Sequence, residues 1–246
     1  MKIVTWNCQQ AFLRKADRIF SNAPDIAVIQ ECSERSAGAS AIDGYAGEWV
    51  GDNSNKGMAV FCGRGWSLQR LGGSGGEVPR WIVPFEVRGR VNFTLIAVWA
   101  CAIKGSRRES YVGQIHKALR DQPAWFRRSP VVVAGDFNSN AIFDGKRPDG
   151  NHSAMVDELR DKYGLMSVYH AIHKQKHGAE ETPTFHLYRR AEKPYHFDYI
   201  FVPIAWGRGI KMEIGRHCEW GSESDHCPLT VEVLADSQRM TKNSRS

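Results

Sequence analysis

The chain has 246 residues, 42% of them hydrophobic and 24% charged, which is the composition of a soluble globular protein. It opens on a strand-like segment rather than a signal sequence, and no apolar stretch approaches 18 residues in length. We therefore expect a cytoplasmic protein that does not bind membranes. The formal net charge of +6 favours an anionic partner, such as nucleic acid or another phosphorylated substrate.

The cysteines predict free thiols rather than a metal site. The six of them form no C-x-x-C pair and show no spacing typical of zinc ligands. Four lie inside or beside apolar runs, which is typical of buried thiols. This usage is consistent with a reducing cytoplasm.

Runs rich in Val, Ile, Phe and Trp predict β-strands at 2–6, 26–30, 58–62, 81–87, 91–99, 130–135, 197–202 and 227–233. The tripeptide RGR at 88–90 predicts a hairpin turn between two of these strands. The segments IAVI and VVVA are apolar at every position, which indicates strands buried on both faces.

Three segments have the apolar spacing of helices, and their stripes are Phe12, Leu13, Ala16, Ile19 and Phe20; Tyr111, Val112, Ile115, Ala118 and Leu119; and Met155, Val156 and Leu159. Gly164 is placed to end the third helix. The glycine-rich segment 71–79 predicts a surface loop, and the polar segment 235–246 predicts a flexible tail. A mixed α/β protein follows, with more than one sheet inside and helices outside.

The segment VVVAGDFNSN at 131–140 runs an apolar strand into a carboxylate, Asp136, and a carboxamide, Asn138. On an extended chain these two side chains point to the same face, so that both can serve one ligand. The competing interpretation is a strand that simply enters an Asp/Asn/Ser turn.

Other predicted strands also begin or end with polar residues, namely Asn7, Glu31, Asp198, Asp225 and His226. Each has an ordinary structural explanation, such as a turn, a solvent-exposed strand end or an ion pair. Strand ends of packed sheets converge, however, so these groups can meet at one edge of the fold. Together they supply the chemistry for metal-assisted attack of water on a phosphoester.

In that chemistry Mg²⁺, or alternatively Mn²⁺, takes one or two carboxylates, with Glu31 as the first choice and Asn7 or Asp225 in support. Asp136 would take the proton from the attacking water, and Asn138 would fix its geometry. A protonated His226 would bond a phosphate oxygen, with Asp198 holding the imidazole.

The motifs TWN, IQE, GDFN, HFDYIF and SDHCPL, in this order over residues 5–229, resemble those of the endonuclease/exonuclease/phosphatase superfamily. That superfamily includes exonuclease III-type repair enzymes, pancreatic-type deoxyribonuclease, sphingomyelinases and inositol polyphosphate 5-phosphatases. The resemblance implies a four-layer α/β sandwich, with two packed mixed β-sheets flanked by helices, in a single catalytic domain over 1–234. It implies divalent-metal phosphoesterase activity, with metal binding by Glu31 near Asn7 and Asp225.

The sequence departs from the superfamily pattern at two places. Many members carry His or Tyr at the end of the strand before GDFN, whereas this chain has Trp99 and Ala100, so Trp99 is either a stacking wall or a core residue. Repair-type apurinic endonucleases follow WN with a residue and then Asn or Asp and Gly, whereas this chain continues with Cys8, Gln9 and Gln10. The second departure weakens assignment to DNA repair.

Substrate choice would depend on the loops around the site. Basic and aromatic residues that suit a nucleic-acid backbone with stacked bases are Lys56, His186, Tyr188, Arg189 and Arg190, with Arg80 and Trp81 as further candidates. A nuclease is the first interpretation. The alternatives are a phosphatase or phosphodiesterase acting on a lipid headgroup or small phosphoester, and an inactive nucleic-acid-binding module. Nothing identifies a protein partner, so a monomer is the default expectation.

Overall fold

The computed structural model describes residues 1–38, 41–73, 75–106, 108–128, 130–146 and 150–234, so the tail predicted at 235–246 lies outside it. The strands in chain order are β1 (Lys2–Asn7), β2 (Ile26–Cys32), β3 (Tyr45–Asn53), β4 (Lys56–Gly63), β5 (Ser67–Arg70), β6 (Ile82–Arg88), β7 (Phe93–Trp99), β8 (Val131–Asp136), β9 (Leu165–Ser167), β10 (Phe185–His186), β11 (Pro194–Tyr195), β12 (Asp198–Pro203), β13 (Ile210–Ile214) and β14 (Leu229–Val233). The α-helices are α1 (Ala16–Phe20), α2 (Val112–Asp121), α3 (Pro123–Arg127), α4 (His152–Tyr163), α5 (Val168–His173) and α6 (His217–Trp220).

Two mixed sheets, each of six strands within the described ranges, form the centre of the protein. The first has the order β13-β14-β1-β2-β4-β3, and the second has the order β5-β6-β7-β8-β12-β9. β1 and β2 are parallel in the first sheet, as are β7 and β8 in the second, and their other neighbours pair antiparallel.

The sheets pack face to face, and helices cover their outer faces. In β8, Val132 and Ala134 point into the core between the sheets, whereas Val131 and Val133 face α2, α3 and α4. β2 divides in the same way between the inter-sheet core and a core beneath α1 and α6. The predicted four-layer sandwich is confirmed, as is burial of these strands on both faces.

The predicted helices are confirmed with two corrections. The first is broken into a 3₁₀ turn (Phe12–Arg14) and α1, and the change of period leaves Leu13 exposed instead of on the apolar stripe. Tyr111 lies outside α2, with φ 56°, and is also exposed. Gly164 ends α4 in the left-handed conformation, as predicted.

The sequence patterns missed several strands, among them β3 and β13, which form the two edges of the first sheet. Edge strands bury only part of their surface, so YAGEWVGDN and IKMEI carry exposed polar residues that hide the strand pattern. The turn predicted at 88–90 is confirmed, because β6 ends at Arg88 and β7 begins at Phe93.

The described residues include no helix that combines the length and apolarity needed to cross a membrane. The thiols of Cys8, Cys32, Cys62 and Cys227 are free and buried, as predicted. Burial raises the pKa of both Cys8 and Cys227 to about 12, so these thiols are protonated at neutral pH.

Candidate active site

Polar side chains from both sheets meet at one edge of the sandwich. β12 runs antiparallel to β8 and pairs Asp198 directly with Asp136, so the strand register brings the two carboxylates together. From the other sheet, Asn7 at the end of β1 donates a hydrogen bond from Nδ2 to Asp136 Oδ2 over 3.1 Å. Residues distant in sequence therefore converge as the strand-end argument predicted.

The segment that follows β8 forms a turn, which was the competing interpretation of the segment VVVAGDFNSN, and the turn keeps Asp136 and Asn138 in contact. Gly135 has φ 150°, and a Cβ there would clash with the Val98 carbonyl oxygen, so glycine is needed for β8 to approach β7. The chain then turns at Asn138, whose φ is 45° and whose backbone N–H donates to Asp136 Oδ1 over 2.9 Å. Asn138 Nδ2 also donates to Asp136 Oδ2 over 3.1 Å. The predicted extended geometry is wrong, but the turn brings the same two side chains together.

Glu31 occupies a distorted position in β2. The pairing of β2 with β4 shifts register between Gln30 and Cys32, and Glu31, between them, has φ 60°. A non-glycine residue in this conformation stores backbone strain, and bulges of this kind redirect a side chain out of the strand pattern. The redirected carboxylate pairs with Lys56, whose Nζ lies 3.0 Å from Glu31 Oε2.

His226 is held between two carboxylates. Its Nδ1 lies 2.8 Å from Asp198 Oδ2, and its Nε2 lies 3.9 Å from Asp136 Oδ2. The ring of Phe185 packs against the imidazole at a centroid distance of 4.6 Å. The Asp198 bond orients the ring so that Nε2 faces Asp136, which is the role predicted for Asp198.

The charges of this group shift its pKa values in a direction useful for proton transfer. Burial, together with the nearby charge of Asp198, raises the pKa of Asp136 to about 7, against the opposing effect of His226. Burial disfavours the charged form of His226, but the charges of Asp198 and Asp136 outweigh it and raise the pKa of His226 to about 10. At neutral pH the imidazole is therefore protonated, while Asp136 is near its titration point.

Asp225 lies in a network that the sequence analysis did not predict. Gln9 donates from Nε2 to Asp225 Oδ2 over 3.0 Å, and its Oε1 accepts from Arg189 Nε over 2.8 Å. Arg189 also donates to the Ser222 carbonyl over 2.8 Å. Burial raises the pKa of Asp225, and the charge of Glu31 raises it further. Arg189 thus braces the candidate metal ligands instead of projecting freely toward a polymer.

Two hydroxyl residues complete the site and were also missed. Thr184 Oγ1 accepts hydrogen bonds from the backbone N–H groups of Phe197 and Asp198, over 2.9 and 3.0 Å. Ser224 Oγ donates to the Asn7 carbonyl over 2.7 Å and accepts from the His226 backbone N–H over 3.0 Å. The sequence signal for Ser224 is its place directly before Asp225 and His226, whereas Thr184 gives no comparable signal.

The buried aromatic candidates for substrate binding require correction. The indole of Trp99 is only 5% exposed and packs 4.8 Å from the ring of Trp81, so it is not positioned to stack on a base. Its ring instead packs beneath the Lys56 ammonium, and Lys56 Nζ lies 5.6 Å from the centroid of the Trp99 ring. His186 is also buried, against His217, and its backbone N–H donates to the Asp225 carbonyl over 2.7 Å.

The remaining basic candidates differ in their surroundings. Lys56 pairs with Glu31 inside the site, as described above. Arg190 is exposed, with Glu192 4.0 Å away, and Tyr188 beside it is 75% exposed. Arg80 forms a surface ion pair with Asp52. Of these residues, Arg190 and Tyr188 are the best placed to meet a polymer from solvent.

The chemistry of the donors fits a hard divalent cation. Carboxylate and carboxamide oxygens are the ligands that Mg²⁺ prefers, and Glu31, Asp225 and Asn7 supply them. The charge of Glu31 acts on Asp225, and a cation, Lys56 Nζ, already lies beside Glu31. Asp136, Asp198 and His226 also bring ligand atoms within 4.8 Å of one another. The second carboxylate oxygen of Asp198, Oδ1, is buried with no hydrogen-bond partner in the described part of the chain.

Comparison with solved structures identifies the fold. The 3'-5' exonuclease NExo from Neisseria meningitidis superposes with a TM-score of 0.69 at 20% identity, covering 96% of this chain and 100% of its own. The AP endonuclease LMAP from Leishmania major superposes with a TM-score of 0.67 at 13% identity, covering 94% of this chain and 86% of its own. Truncated TDP2 from Caenorhabditis elegans superposes with a TM-score of 0.65 at 14% identity, covering 95% of this chain and 97% of its own.

This chain has the fold of the endonuclease/exonuclease/phosphatase superfamily. The resemblance found in the five motifs is thereby confirmed for the architecture. No protein-family model and no curated protein sequence matches the chain. Within this fold, the departure at Cys8, Gln9 and Gln10 has a structural result, because Gln9 supplies a neutral bridge between Arg189 and Asp225.

Proposed function

We propose that residues 1–234 form one catalytic domain that hydrolyses phosphodiester bonds of nucleic acids, with Mg²⁺ as cofactor and Mn²⁺ as an alternative. Glu31, with Asn7 and Asp225, would hold the ion, which when bound offsets charge on the phosphate and lowers the pKa of coordinated water. A cytoplasmic location and a monomeric state remain predictions from the sequence.

The observation that supports catalysis is the continuous set of contacts from Asn7 through Asp136 and His226 to Asp198. Asp136, with a pKa of about 7, suits a base that takes the proton of an attacking water at neutral pH. The amides of Asn7 and Asn138 fix the direction of its carboxylate. His226 keeps its proton, so its Nε2–H can donate to a non-bridging phosphate oxygen as charge develops there.

A cleft beside this site supports nucleic acid as the substrate. It has a volume of about 420 Å³, and Asn138, Tyr111, Phe143 and Phe197 are among its lining residues. The rings of Phe143 and Phe197 lie 6.0 Å apart, and Tyr195 stacks on Phe143 at 5.9 Å. Aromatic faces next to a reacting phosphate suit the sugar or base of a nucleotide. NExo has also been solved bound to a product DNA hairpin.

The activity can be tested with plasmid, single-stranded DNA, RNA, abasic duplex and small phosphoesters, each with Mg²⁺, Mn²⁺ or a chelator. We expect metal-dependent cleavage of at least one nucleic acid. Efficient turnover of an inositol phosphate or lipid headgroup alone would favour the small-phosphoester alternative. Binding of nucleic acid without hydrolysis of any substrate would favour an inactive module.

The metal assignment has its own test in Glu31→Gln. If Glu31 is the main ligand, this variant loses most activity and binds Mg²⁺ more weakly, while its circular dichroism and melting temperature stay close to those of the parent. Glu34→Gln, three residues further along, is the matched control. Unchanged Mg²⁺ affinity of Glu31→Gln by calorimetry would contradict the assignment.

A further inference from the structure

A second group of histidines lies on the far side of the loop that follows Asp136. His170 lies in the middle of α5, and His177 and Glu180 follow in the next loop. His170 Nε2 lies 3.0 Å from Glu180 Oε1, and His177 Nδ1 lies 3.9 Å from the same oxygen. The three ligand atoms are all within 4.8 Å of one another. No residue of this group takes part in the proposed hydrolysis.

The surroundings hold these side chains in place. Ser167 Oγ lies 2.7 Å from His170 Nδ1, so the second ring nitrogen of His170 has a partner that can accept or donate. Glu180 Oε2 accepts from Asn140 Nδ2 over 3.0 Å and from the Gly178 N–H over 2.9 Å, which leaves Oε1 facing the imidazoles. A ligand histidine whose other nitrogen is bonded, beside a carboxylate that is itself bonded, is the arrangement found around protein metal sites.

From this geometry we propose a transition-metal site formed by His170 Nε2, His177 Nδ1 and Glu180 Oε1, separate from the catalytic metal and selective for an ion such as Zn²⁺. Imidazole nitrogens suit Zn²⁺, Co²⁺ and Ni²⁺, whereas Mg²⁺ prefers oxygen ligands alone. Three protein ligands leave a fourth tetrahedral position for water.

Binding requires a local rearrangement. The rings of His170 and His177 are stacked, with centroids 3.4 Å apart and planes 16° from parallel, so their in-plane lone pairs do not converge. His170 keeps its contacts with Ser167 and Glu180, so the ring of His177 must rotate about its Cβ–Cγ bond to face the same ion. His177 Nδ1 would then exchange its 2.9 Å hydrogen bond to His152 Nε2 for the metal bond. Glu180 needs no such movement, because its Oε1 already lies within 4 Å of both His170 Nε2 and His177 Nδ1.

The site would brace the active-site loop. Glu180 holds Asn140, which also donates to the His196 carbonyl and to Tyr199 Oη over 3.1 Å each. Asn140 lies two residues beyond Asn138, in the segment that turns away from Asp136. An ion bound to Glu180 would therefore tie the loop after α5 to the loop that carries Asn138.

The test uses the full chain carrying Glu31→Gln and Cys218→Ser, which weaken the catalytic site and remove the exposed thiol, in excess Mg²⁺. Zn²⁺ is titrated by calorimetry, and Co²⁺ by its visible absorption. We expect one Zn²⁺ per chain and a Co²⁺ spectrum of low coordination number. Adding His177→Gln should weaken Zn²⁺ binding at least about a hundredfold. Adding His173→Gln, which alters an exposed histidine of α5, the helix that also carries His170, should leave the Zn²⁺ affinity unchanged.

Nitrogen-15 spectra of the histidine rings, recorded on the protein without any histidine substitution, keep the proposal testable if His177→Gln fails to fold. Zn²⁺ should shift the ring signals of His170 and His177 and leave those of His186 and His217 unchanged. Absence of stoichiometric Zn²⁺ binding would overturn the proposal. Equal Zn²⁺ affinity in a folded His177→Gln variant, or shifts confined to other histidines, would overturn it as well.

Discussion

Two clusters combine histidines with carboxylates, one formed by Asp136, Asp198 and His226 and the other by His152, His170, His177 and Glu180. The pKa values of His226 and His152 are shifted in opposite directions. His226 has two carboxylates within 4 Å, and the pKa of its imidazole is raised to about 10. His152, in the second cluster, is equally buried, and burial lowers its pKa to about 4 because the opposing charges of Asp144 and Glu180 do not outweigh it. Burial disfavours the charged imidazole in both clusters. The difference is that His226 is hydrogen-bonded to the Asp198 carboxylate, whereas the ring nitrogens of His152 contact Ser139 and His177.

The largest expected effect is at the base of the first cluster. Asp136→Asn removes the group that accepts the proton of water, so turnover should fall by about 10² to 10⁴, with substrate binding retained. The measurement is single-turnover kinetics together with binding of the best substrate. Asp157→Asn on the exposed face of α4 is the control and should retain full turnover. Near-normal turnover of Asp136→Asn would reduce the GDFN motif to a structural turn.

The pH dependence tests the charge state of His226. Turnover should rise with pH through about 7, as Asp136 loses its proton, and fall as pH passes about 10, where His226 loses its own. In Asp198→Asn the missing negative charge lowers the pKa of His226, so the alkaline limb should move to lower pH. Turnover at neutral pH should fall about 10- to 100-fold. An alkaline limb that stays in place would show that His226 is not the titrating group.

The free energy of unfolding should depend on pH in opposite directions through His152 and His226. The folded-state pKa of His152 lies below its ordinary value. The contribution of His152 to the free energy of unfolding is therefore present above about pH 6.5 and is lost as the pH falls toward about 4. The loss is on the order of 3 kcal/mol. His226 has the reverse dependence. Its contribution to the free energy of unfolding is present below about pH 6.5 and is lost as the pH rises through about 10.

Urea unfolding of His152→Gln and His226→Gln at a series of pH values measures this difference. His152→Gln should flatten the decline in unfolding free energy between pH 6.5 and 4 relative to the parent. His226→Gln should keep the part of the decline that His152 causes, although loss of the imidazolium charge raises the pKa of Asp136. If both variants keep the parent's acid slope, the charge assignment of the second cluster is wrong.

The smallest expected effect concerns the exposed loop next to the site. Binding to duplex DNA through about four phosphates should give a log-log salt slope near −3 to −4. Arg190→Gln should reduce the magnitude of that slope by about 1, with hydrolysis of a small diester unchanged. Arg160→Gln on α4 is the matched control. A flat salt response on every nucleic acid would contradict the nuclease proposal.

The sequence predicted the strands that are apolar on both faces, because a run such as VVVA is incompatible with an exposed position. It also placed Asn7, Glu31, Asp136, Asp198, Asp225 and His226 at strand ends, and for Asn7, Asp136, Asp198 and His226 the structure shows direct proximity. The edge strands β3 and β13 were missed, since partial burial allows polar residues along them. Trp99 was left open between a stacking wall and a core residue, and His186 was a substrate candidate by residue type; both are buried, which neither the strand-end position nor the residue type reveals.

What the sequence determined by itself was the set of chemical groups and their places along buried strands, because local apolar patterns constrain local structure strongly. What only the tertiary structure decided was which groups share an environment. The register of β12 against β8 sets Asp198 opposite Asp136, and the bulge in β2 turns Glu31 toward Lys56. The packing of the loop after α5 brings His177 near His152 and Glu180. Charge state depends on such neighbours at distances of a few ångströms, and neighbours remote in sequence are defined only once the chain has folded.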